Sequence, residues 1–198
     1  MNIFKTIFSV LTCLVCGLRA SPQSFTSKGT VELGGDFSFA FQKNSSQKDL
    51  SFTTFSFNAF LGVMAVKGFE IGIMPAISGY NYSNYSVSEF GGFLAPSFNF
   101  TTKSNVNPYI ELLGGYGLID DGNENATFMG LGGDAGIKAM LGGRSLLLIK
   151  VEYLRRFIDY LGENDSHNYI PEDYNLDALT FGVGFRFFIP GGDSKPAN

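Results

Sequence analysis

His167 is the single histidine of this 198-residue chain, and Ser166 and Asp165 stand beside it. Serine, histidine and a carboxylate are the parts of a nucleophilic triad, which here would act on a lipid ester. A triad needs three side chains converging on one point, and consecutive residues point in different directions. His167 is therefore read as a surface histidine in an acidic stretch with Asp159, Glu163, Glu172 and Asp173. That stretch lacks calcium-loop spacing. Cys13 and Cys16 have CxxC spacing, but they fall in an apolar N-terminal segment that offers no folded redox or metal site. The paired glycines Gly115/Gly117 and Gly182/Gly184 open no helix, so they are not nucleotide loops. No catalytic, metal or cofactor-binding residue is assigned, and no enzyme is expected.

A second constellation is spread over the whole chain. Glu32, Asp36, Glu70, Glu89, Glu111, Asp134, Lys138, Lys150, Glu152 and Arg186 all lie in stretches where polar or small residues alternate with large apolar ones. Strict alternation is the signature of strands. Asp177 to Phe188 is the clearest case. Leu179, Phe181, Val183, Phe185 and Phe187 share one face, and Ala178, Thr180, Gly182, Gly184 and Arg186 share the other. Seven earlier stretches repeat the pattern, at 31–41, 54–63, 69–78, 89–100, 110–118, 129–139 and 147–154. Charges scattered at random would occupy both faces, yet these ten keep to the small-residue face. In a membrane barrel, Lys or Arg at the midplane of the lipid face costs roughly 2–4 kcal/mol. The pattern predicts an all-β, eight-stranded antiparallel up-and-down transmembrane barrel with phenylalanine facing lipid and charge facing the lumen. Closing strand eight on strand one would bring Lys138, Lys150 and Arg186 toward Glu32 and Asp36. An eight-stranded barrel is just wide enough for side chains to fill, so a buried ion-pair network is expected.

Composition agrees. Glycine (25) and phenylalanine (21) are abundant, tryptophan is absent, and only 16% of residues are charged. No run approaches the ~20 apolar residues of a spanning helix. Residues 1–20 read as a signal peptide: Lys5, an apolar core from Ile7 to Val15, and Ala20 before a cut. Residues 21–188 form the barrel domain and 189–198 a polar tail. Removing the signal with Lys5 and Arg19 leaves twelve bases against 18 acids. An acidic protein without a basic run is not a nucleic-acid binder. Connections alternate in length. Short turns are expected at 67–68, 103–107 and 142–144, and longer polar loops at 43–49, 81–88, 120–126 and 158–175. Pro75 and Pro96 fall mid-strand in the outward phase, where a bulge or local kink is expected.

With these features the chain resembles the small eight-stranded outer-membrane barrels of Gram-negative bacteria, the OmpA/OmpX-like and opacity-protein-like group. The resemblance covers about Lys28 to Phe188 and ends on Phe185-Arg186-Phe187-Phe188. It implies insertion in the outer membrane as a monomer, contact with outer-membrane lipid, and recognition of Phe185, Phe187 and Phe188 by the barrel-assembly machinery. It also implies presentation of four loops to an extracellular ligand. Members of that group commonly end on the final aromatic, whereas ten residues follow Phe188 here. Other readings stay open: a narrow porin-like channel, a lipid A-modifying enzyme, and a secreted lipocalin-like barrel with the phenylalanine face inside.

Overall fold

The computed structural model describes residues 25–44, 51–82, 85–102, 104–120, 125–160 and 174–191. Eight strands follow one another: β1 (Val31–Asn44), β2 (Ser51–Val66), β3 (Phe69–Tyr82), β4 (Tyr85–Asn99), β5 (Val106–Asp120), β6 (Asn125–Gly142), β7 (Ser145–Tyr160) and β8 (Tyr174–Ile189). Each pairs antiparallel with its neighbour, and β8 pairs with β1 to close the barrel. At 14 to 18 residues the strands are long enough to cross a bilayer at a tilt.

The register fixes that tilt. From Leu33 the pairings run through Leu61, Ile73, Leu94, Gly114, Leu131, Arg155 and Asp177, then reach β1 again at Lys43. One circuit therefore advances ten residues. With ~3.3 Å per residue and ~4.7 Å between strands, eight strands so staggered lean about 40° from the barrel axis.

Alternation then sorts the side chains. Phe37 (71% exposed), Leu112 (69%), Phe55, Leu94, Val183 and Phe187 stand on the outer wall, while Glu32, Glu70, Lys138, Lys150 and Arg186 are buried inside. This continuous apolar belt is far larger than the patches soluble monomers expose. It is the lipid-facing surface of a transmembrane barrel. The lipocalin-like arrangement, with phenylalanine inside, is thereby overturned.

The three described short connections share one end of the barrel with both chain ends of the described structure. We call this the turn end and the opposite one the loop end. Gly68 (φ 80°) and Gly143 (φ 58°) occupy left-handed backbone in two of these turns, a conformation glycine adopts without steric cost. At the loop end the strands reach farther than the alternation alone indicates. Asn81, Tyr82 and Tyr85 to Ser88 belong to β3 and β4, so the expected loop at 81–88 shrinks to residues 83–84. Ile158 to Tyr160 likewise extend β7. The other connections span 45–50, 121–124 and 161–173, and the last carries most of the length asymmetry.

Neither mid-strand proline produces a register shift. Pro75 keeps its partner Gly92 on β4, and Pro96 keeps Ile71 on β3. On the other side of each strand the pairing lapses beside the proline and resumes in the same register. A proline lacks the N–H that the ladder needs on one side only, so one ladder opens and the other holds. The register shifts occur at Met64/Val66 and Met140/Gly142, where strands run into turns.

Candidate functional site

Among the described residues, the lumen is where this fold gathers buried charged groups, and it is layered. Its ionic layer has two linked centres. In the first, Lys138 Nζ lies 3.0 Å from Glu32 and 2.8 Å from Glu70, and Arg186 Nη1 lies 3.5 Å from Glu32. Ser97 donates to Glu70 at 3.1 Å. The Arg186 guanidinium carbon stacks 3.5 Å from the centroid of Phe60, a cation–π contact strengthened by exclusion of water. Phe60 fits because Gly62 and Gly72 leave its ring room that a Cβ would occupy. In the second centre, Lys150 Nζ meets Glu152 at 2.9 Å, Asp36 at 3.2 Å and Asp134 at 3.7 Å. Asn58 also donates to Asp36 at 2.8 Å. Closure of β8 on β1 places Arg186 and Asp36 near their partners, since Gly34 pairs with Arg186 and Asp36 with Gly184.

Glu111 is buried between these centres, opposite Asp134 in the β5–β6 register, and neither of its carboxylate oxygens has a hydrogen-bond partner among the described residues. Glu89 sits nearer the loop end, where Ser78 donates to it and Arg156 lies 3.4 Å away. All ten charged residues of the sequence constellation thus line one lumen.

An apolar layer caps each end. Toward the loop end, Phe93, Leu113, Phe128, Leu154, Ile158 and Leu176 pack as one buried cluster. At the turn end a segment preceding β1 crosses the mouth. Phe25 is buried there with Met64, Leu146 and Phe188, its ring 6.0 Å from that of Phe188. Backbone bonds pin the segment to the wall. Gly68 N donates to Thr26 O at 2.9 Å, Gly29 N to Met64 O at 2.8 Å, and Met64 N to Thr30 O at 2.8 Å. Between the caps, a cavity of about 30 Å³ beside Thr54, Asn58, Met74, Phe93, Leu113 and Arg156 has room for about two water molecules. It does not amount to a permeation path.

Three features lie beyond the alternating stretches assigned from sequence. Arg156 continues the inward phase of Lys150, Glu152 and Leu154, and extending that stretch by two residues would have found it. Arg155 faces outward and pairs with Asp177 at 3.3 Å, while Tyr153 donates to the same carboxylate at 2.8 Å. Phe25 precedes any periodic stretch and gives no such signal. Within the last stretch, Phe188 takes the inward phase of Arg186, opposite to the outward Phe185 and Phe187. His167, residues 1–20 and most of the tail lie outside the described residues.

No family model and no curated protein matches the sequence. Solved structures do match the fold. Neisserial surface protein A aligns over 81% of this chain and 99% of its own, at 18% identity and a TM-score of 0.55. The outer membrane protein OprG from Pseudomonas aeruginosa aligns over 82% and 97%, at 15% identity and a TM-score of 0.53. The architecture is that of the small eight-stranded outer-membrane β-barrels.

Proposed function

We propose that this protein is a monomeric, non-enzymatic outer-membrane barrel that holds its loop-end connections at the cell surface, where they serve adhesion, host contact or envelope integrity. The observation that carries this reading is the filled lumen. Among the described residues, ion pairs between two apolar caps fill the lumen and leave little room for a substrate or a passing solute. The loop-end surface remains as the part able to meet a partner. The similar Neisserial protein is itself termed a surface protein. The turn end would face the periplasm. During insertion, Phe185 and Phe187 would be offered to the assembly machinery from the lipid face, and Phe188 would turn inward on closure.

An epitope inserted within residues 161–173 tests the placement. Intact cells should bind the antibody, and the protein should fractionate with the envelope and migrate differently in gels when left unboiled. Recovery as a soluble protein without detergent, or an epitope reached only after lysis, would contradict it.

A further inference from the structure

Charge is divided sharply between the two ends of the barrel. Each turn-end connection carries one base in sequence, Lys67, Lys103 and Arg144, and the segment crossing the mouth adds Lys28. Lys28, Lys67 and Arg144 are exposed. No acid occurs among the described turn-end residues, from Phe25 to Thr30, in the three turns, or from Ile189 to Gly191. The loop end is the reverse. Asp120, Asp159 and Asp177 stand at its strand ends with the bases Lys43 and Arg155, the latter paired with Asp177, and the connections there add seven more acids against one lysine.

Two of the basic groups, Lys67 and Arg144, are also placed at a particular depth. Lys67 lies between Val66 and Phe69, both outward and exposed, and Arg144 immediately precedes β7, where the belt resumes. Phe100, Val106 and Ile189 complete the apolar edge around them. A cation just beyond the edge of a lipid-facing belt lies at headgroup level. Several such cations attract anionic headgroups, and the attraction fades within a Debye length.

We propose that the turn end is a docking surface for anionic phospholipid, with Lys28, Lys67 and Arg144 forming a basic collar for the headgroup phosphates of the adjoining leaflet. The inference rests on the membrane-barrel reading. The acidic loop end would not share this preference, so the collar also gives the barrel a charge-marked orientation.

The natural chain has no tryptophan, so a single one can report from either edge. Phe100→Trp marks the turn-end edge and Leu118→Trp the loop-end edge. Each variant is placed in phosphatidylcholine vesicles containing phosphatidylglycerol, with one of the two lipids brominated as quencher. We expect brominated phosphatidylglycerol to be enriched about threefold or more beside the Phe100→Trp reporter at low salt. The enrichment should fall toward parity at high salt and in the Lys28→Gln/Lys67→Gln/Arg144→Gln background. It should be absent beside the Leu118→Trp reporter. Equal enrichment at both edges, no enrichment at either, or enrichment that survives the triple substitution would overturn the collar. Absence of quenching by either lipid at both edges would instead overturn the membrane barrel itself.

Discussion

Replacing Lys138 by methionine should destabilise the barrel by about 3–5 kcal/mol, the usual effect of removing one partner from a buried ion pair. Lys138 bridges Glu32 and Glu70, and all three side chains are fully shielded from solvent. Without the ammonium, two carboxylates share a dry layer in which Glu32 retains Arg186 at 3.5 Å and Glu70 retains Ser97. The substitution should lower the urea midpoint for loss of the fast-migrating unboiled band. Lys138→Met combined with Glu70→Gln should recover most of that loss, because it leaves Glu32 and Arg186 as a balanced pair and the penalty lies in the stranded charge and not in the missing contact. A double variant no more stable than Lys138→Met would show that the ion pairs are not what holds this layer together.

Phe25→Ala should have an effect of similar size, about 3 kcal/mol or more, by emptying a packed aromatic site. Its ring is seated against residues from β2, β7 and β8, so the seat exists only once β8 has closed on β1. The substitution should therefore speed unfolding. It should also open the turn end. Leu146 is fully buried beneath the ring, and residues 25–198 contain no cysteine. A Leu146→Cys reporter should resist thiol reagents in the otherwise native barrel and react rapidly once Phe25→Ala is added. Equal reactivity in both backgrounds would remove the cap from the account.

Period-two alternation was enough to place the strands and their phases. It works here because lipid outside and a packed lumen inside impose opposite demands on successive residues. Glu32, Lys138 and Arg186 were assignable to the lumen for the same reason, although 106 residues separate the two members of the Lys138–Glu32 pair. Their pairing geometry was less legible, because it depends on a stagger of ten residues that no single strand records. Strand ends at Tyr82 and Tyr160 were missed because turn-like Asn, Ser and Tyr residues continue the ladder beyond the belt. The Phe25 cap was invisible for a different reason. It is a short irregular segment held mainly by backbone hydrogen bonds and one ring, and neither leaves a periodic trace. Pro75 and Pro96 marked positions of weakened pairing, but sequence could not tell an opened ladder from an inserted residue.

The central claim is that the lumen is closed, with an ionic layer sealed between the Phe128 cluster and Phe25. Single-channel recording of the purified, heat-modifiable protein in planar bilayers tests it most directly. We expect insertion without stable conductance in the native protein. Long-lived, uniform channels that scale with the amount of folded protein would contradict the claim and restore the reading of a narrow pore.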